Sequence, residues 1–109
     1  HYHGDHVANA NSFAKSIWIV QKIERDAMFT PVQTTGPGAA NPALYKDLEK
    51  SKTLLLNSED HDVFGDGTVV LKFSPGHTPG HQVLYVKLAK TGALALVQEP
   101  PGLRHCVAV

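Results

Sequence analysis

His1-Tyr2-His3-Gly4-Asp5-His6 opens the chain, and the rest of the sequence is read outward from these six residues. They gather three imidazoles and a carboxylate, and a loop can fold that spacing so that alternate imidazoles meet one cation while Asp5 and His6 meet another. Zinc accepts both imidazole nitrogen and carboxylate oxygen at about 2.0–2.2 Å. A histidine tag or chance clustering is the alternative. A tag would be a uniform His run without the aspartate, and chance seldom packs these ligand types so tightly. The single cysteine, Cys106, can form neither an internal disulfide nor a thiolate-pair zinc site. Any metal must be held by histidines and carboxylates.

A second constellation lies downstream at residues 74–82, SPGHTPGHQ. Two Pro-Gly pairs around His77 make a sharp, rigid loop at a strand end, which fixes an imidazole with little ordering entropy left to lose. His77 is the candidate ligand. His81 begins the next strand and reads as a supporting or packing histidine. His61, in the acidic run Glu59-Asp60-His61-Asp62, reads as a solvated turn residue, and His105 beside Cys106 is an isolated pair and a weak metal signal.

Between and beyond these motifs the pattern is mixed. Residues 7–15 (VANANSFAK) are Ala-rich and free of Gly and Pro, which predicts a short helix after the motif loop. Residues 16–21 (SIWIVQ) read as a buried strand and residues 22–28 (KIERDAM) as a second helix. Residues 30–42 hold three prolines and two glycines, the composition of a loop or substrate-covering lid. Residues 43–50 (ALYKDLEK) space Leu44 and Leu48 as one helical face requires. Residues 53–56 and 68–73 read as strands joined by the turn Phe64-Gly65-Asp66-Gly67. Residues 82–88 alternate as a strand, and Lys90-Thr91-Gly92 turns them into residues 93–97. The tail, residues 98–109, fits neither period.

At 109 residues and 42% hydrophobic content, the chain has the length and composition of one globular unit and not of a disordered segment. Ten Lys plus Arg balance ten Asp plus Glu, so charge points to no nucleic-acid or anionic-membrane partner. No apolar run approaches the roughly 20 residues of a membrane span. The site motif lies at the first residue, where a free terminus would fray. The chain is therefore expected to be a central piece, with a segment preceding His1. Ser12, Ser16 and Cys106 lack a His-Asp context, which disfavours covalent catalysis.

The ordered pair His1-Tyr2-His3-Gly4-Asp5-His6 and Ser74-Pro75-Gly76-His77-Thr78-Pro79-Gly80-His81 resembles the metallo-β-lactamase superfamily. Ile19-Val20-Gln21-Lys22 and Glu24-Arg25-Asp26 resemble its N-acyl homoserine lactonase branch, and the likeness extends over about residues 1–97. The resemblance implies an α/β (α+β) fold, part of an αββα sandwich with metals at one edge between two sheets. It also implies two zinc ions, the first held by His1, His3 and His77 and the second by Asp5 and His6. The family's bridging aspartate falls on Glu99, whose extra methylene displaces the carboxylate by about one bond length. The family's last histidine has no counterpart before Val109, which suggests truncation or a frame shift after Leu96.

The activity implied is hydrolysis of a lactone or ester, a small-molecule substrate, as in quorum-signal degradation, with Asp5 handling the proton. Two other readings stand beside it. One is a different reaction on the same fold, such as β-lactam, thioester or phosphodiester hydrolysis or an iron-dependent oxidation. The other is a metal-binding fragment without turnover. A partial sandwich leaves apolar faces uncovered, so self-association is expected. The protein is expected to be soluble, in the cytoplasm or the periplasm.

Overall fold

The computed structural model describes residues 1–30, 38–90, 92–96 and 106–108. The motif segment forms a single helical turn, α1 (Gly4–Val7), followed by a 3-10 turn at Ala10–Phe13. The helix expected at 7–15 is thus displaced and broken. The reason lies in the asparagines, whose side chains compete for backbone partners. Asn11 Nδ2 donates to the Ala43 carbonyl at 2.9 Å, and its Oδ1 accepts the Asp47 N–H at 3.0 Å.

β1 (Trp18–Gln21) runs directly into α2 (Lys22–Phe29), close to the expected boundaries. α2 stops at Thr30, which takes the extended conformation that the following proline demands (φ −77°, ψ 134°). The expected helix at 43–50 is instead two 3-10 segments, Pro42–Leu44 and Lys46–Lys50, interrupted at Tyr45 (φ −137°). Tyr45 is fully buried and its hydroxyl donates to the Met28 carbonyl at 2.9 Å. Anchoring this large side chain under α2 prevails over helix continuity.

β2 (Thr53–Leu56) pairs in parallel with β1, Trp18 opposite Thr53 through Gln21 opposite Leu56. This corrects the expectation of a hairpin from 53–56 to 68–73. The Gly65/Gly67 turn belongs to a different hairpin, joining β3 (His61–Asp62) to β4 (Val69–Phe73). Asp62 organises that turn by accepting the N–H groups of Gly65 and Gly67 at 2.9 and 2.8 Å, both glycines having positive φ. His61 is a half-buried strand residue there and not a solvated turn. β5 (Gln82–Leu88), β6 (Gly92–Leu96) and β7 (Cys106–Ala108) complete an antiparallel sheet in the order β3-β4-β5-β6-β7. The tail therefore contributes a strand that its composition does not announce.

The fold is thus mixed α/β, with two sheets and short helices. The core cluster is Met28, Tyr45 and Leu48, with Trp18, Phe29 and Leu44 packed against it. Phe29 stands edge-on to both Trp18 and Tyr45. The two sheets are tied by a pair of amides: buried Gln21 on β1 donates from Nε2 to Gln82 Oε1 on β5 at 3.0 Å and to the Glu59 carbonyl at 2.7 Å. Among the described residues, no helix is long and apolar enough to cross a membrane.

Candidate metal centre

His1, His3 and His77 converge. Each offers one ring nitrogen, and the three nitrogens lie within 4.8 Å of one another. The ring centroids form a near-equilateral triangle, with 4.7 Å for His1–His3, 4.7 Å for His1–His77 and 4.6 Å for His3–His77. All three pairs stand edge to face and do not stack. A tetrahedral zinc needs donor nitrogens about 3.4 Å apart, which requires each imidazole to move inward by less than about 1 Å. The donor set fits the ion.

The local sequence explains the convergence. Residues 1–3 are extended ahead of α1, His3 itself having φ −61° and ψ 147°, so side chains two apart point the same way. His77 is carried on the turn between β4 and β5, where the Gly76 N–H donates to the Thr78 carbonyl at 3.1 Å and Gly76 has a φ of +138°. That conformation favours glycine.

His6 and Asp5 lie next to this triangle and not in it. The His6 ring is 4.0 Å from that of His1, and its Nε2 is 4.0 Å from Asp5 Oδ2. Both residues sit on α1, Asp5 with a side chain 66% exposed and His6 with one 29% exposed. The structure therefore draws the first ligand set together tightly and sets the second pair beside it. Glu99 and His105 lie outside the described residues, as does most of the expected 30–42 loop. Where that segment re-emerges, Gly38 packs on His3: a Cβ built at Gly38 would lie 3.3 Å from His3 Nε2.

His81 is buried, with its Nδ1 3.1 Å from the Ser74 carbonyl and its ring 4.9 Å from that of His1. Burial holds the His3, His6 and His81 imidazoles below the usual histidine range, with the positive charge of neighbouring groups adding to the effect. Neutral rings keep the lone pairs that a metal requires. A cavity of about 330 Å³ opens beside the triangle, lined by His1 and His6 at one side and by Val7, Phe13, Trp18 and Met28 elsewhere.

One residue of this region carried no role in the sequence analysis. Glu24, on α2, is 2% exposed and accepts hydrogen bonds from the Tyr2 N–H, the Thr78 hydroxyl and the Gly80 N–H. The available signal was its i, i+4 spacing from buried Met28, which puts a carboxylate on the apolar face of the helix.

Comparison with known proteins identifies the family. The model of the metallo-beta-lactamase superfamily matches residues 1–92. The N-acyl homoserine lactonase AttM of Azorhizobium caulinodans is 37% identical over 97 residues, covering 88% of this chain and 37% of the relative. The N-acyl homoserine lactonase AiiA of Bacillus thuringiensis subsp. kurstaki is 28% identical over 100 residues, again 88% of this chain and 34% of the relative. Among solved structures, an N-acyl homoserine lactone hydrolase with N-hexanoyl-L-homoserine at its catalytic metal centre superposes with a TM-score of 0.63 at 26% identity, over 85% of this chain and 33% of that one. A quorum-quenching N-acyl homoserine lactone lactonase gives a TM-score of 0.64 at 27% identity, with 85% and 34% covered. The chain thus spans about a third of the length of the relatives it matches. On the family match and the histidine geometry together, this chain belongs to the metallo-β-lactamase superfamily.

Proposed function

We propose that this chain carries the zinc-binding part of a hydrolase acting on N-acyl homoserine lactones. His1, His3 and His77 would hold one ion and Asp5 and His6 a second, with Glu99 a further carboxylate ligand. The observation that carries this reading is the meeting of three ring nitrogens within 4.8 Å beside an open cavity. Bound zinc supplies Lewis acidity, which polarises a carbonyl oxygen and acidifies water.

The protein's own groups supply the rest. The three imidazoles would hold the cation, and the Gly38 backbone limits the approach to His3 on one side. Asp5, beside His6 and with a side chain 66% exposed, takes a proton from water and returns one to the departing alkoxide. Val7, Phe13 and Trp18 form an apolar wall for an acyl chain, while His1 and His6 line the end where a lactone carbonyl lies. Opening the ring consumes one water and yields the N-acyl homoserine.

A second reading, metal binding without turnover, is favoured by the chain's coverage of only 37% of its AttM relative. The two separate in one assay: the zinc-loaded chain is incubated with N-hexanoyl homoserine lactone and the opened product is quantified by mass spectrometry. The hydrolase reading predicts product above the buffer rate, reduced at least about 100-fold in Asp5→Asn. Zinc retained with no product above buffer supports the second reading and overturns the first.

A further inference from the structure

Glu24 touches neither of the two ligand loops by chance of a single contact. Its Oε1 accepts the Tyr2 N–H at 3.0 Å and the Thr78 hydroxyl at 2.8 Å, and its Oε2 accepts the Gly80 N–H at 2.7 Å. Tyr2 lies between His1 and His3, and Thr78 directly follows His77. One carboxylate thereby bonds to the chain beside all three converging imidazoles, across sequence separations of 22, 54 and 56 residues. The Gly80 segment is pressed against it: a Cβ at Gly80 would fall 2.4 Å from Glu24 Cβ and 2.7 Å from the Glu24 backbone nitrogen.

We propose that Glu24 is a positioning residue for the metal centre, a buried clamp that holds the His1/His3 segment and the His77 turn at the separation a metal requires. The inference rests on the metal reading above. Its chemistry is specific to a carboxylate of this length. A carboxylate presents acceptors on both oxygens, whereas the glutamine amide keeps one oxygen and turns an N–H toward at least one of three donors. Aspartate keeps the charge but is one methylene short of spanning both loops. A buried group with donors on both sides also loses more than the mean value of a hydrogen bond when one partner is left unpaired.

The test uses the full chain in three forms: native, Glu24→Gln, and Tyr45→Phe as a control. Tyr45→Phe removes a different buried hydrogen bond, Tyr45 to the Met28 carbonyl, and none of the three Glu24 contacts. Zinc affinity is measured by competition with a chromophoric chelator, and cobalt(II) is substituted so that its visible spectrum reports coordination geometry. Glu24→Gln is expected to weaken zinc binding by at least about 10-fold, the effect typical of groups that support metal ligands, and to alter the cobalt spectrum. Tyr45→Phe is expected to lower the melting temperature while leaving both readouts as in the native chain.

Equal zinc affinity and an identical cobalt spectrum in native and Glu24→Gln would overturn the clamp alone. A native chain that holds no zinc would overturn the metal reading and the clamp with it. Should Glu24→Gln fail to fold, Thr78→Val removes one donor only. A weaker zinc site with a shifted cobalt spectrum in that variant supports the proposal, and unchanged values overturn it.

Discussion

Tyr45 illustrates how one buried polar group sets both a local conformation and a pH response. Burial, reinforced by the fields of Tyr2 and Glu24, pushes its phenol above the ordinary tyrosine value. The folded chain therefore holds this proton more tightly than the unfolded chain. The resulting stability is fully present below about pH 10 and is lost as pH rises through the folded value. Denaturant midpoints measured on either side of that pH are expected to fall in the alkaline range, and Tyr45→Phe to remove part of the fall. Tyr2, raised by the same causes, accounts for some of the remainder. At neutral pH Tyr45→Phe is expected to cost about 1 kcal/mol, the net value of one hydrogen bond. An unchanged alkaline slope in the variant would contradict this account.

The turn carrying His77 and helix α2 meet with no space to spare, which makes their contact a sensitive one. Gly80→Ala puts a methyl group into Glu24 Cβ and the backbone of α2, and backbone cannot swing aside as a side-chain end can. The expected cost is roughly 1–3 kcal/mol, seen as a lower urea midpoint, and a midpoint equal to the native one would argue against the close approach. This contact was invisible in the sequence, where Glu24 is 56 residues from Gly80. Local signals did identify β1, α2, β4 and β5, because β-branched runs and helical spacing depend only on near neighbours. The parallel pairing of β1 with β2 depends on residues 35 positions apart, such as Trp18 and Thr53, and no turn signal marks it. The two failed helices share a cause. Asn11 and Tyr45 each commit to a distant backbone partner, and tertiary bonding outweighs propensity. The histidine triad was legible because each of its loops carries its own short motif; that the motifs meet is a property of the fold.

In the whole molecule, the two-stranded sheet β1-β2 stands out for what it leaves uncovered. Ile17, Leu54 and Leu55 are 59%, 40% and 44% exposed, and Phe13 nearby is 64% exposed. Large apolar side chains beside an open sheet edge favour association. Sedimentation velocity is expected to show concentration-dependent self-association, reduced in the double variant Ile17→Lys, Leu55→Lys. A monomer at every concentration would contradict it. Whether His1, His3 and His77 form a metal centre is decided by metal content. After zinc loading and dialysis against metal-free buffer, elemental analysis of the folded chain should find about two zinc ions, with a clear loss in His3→Ala. A native chain that retains no zinc, or a His3→Ala chain that retains as much as the native one, would contradict the account.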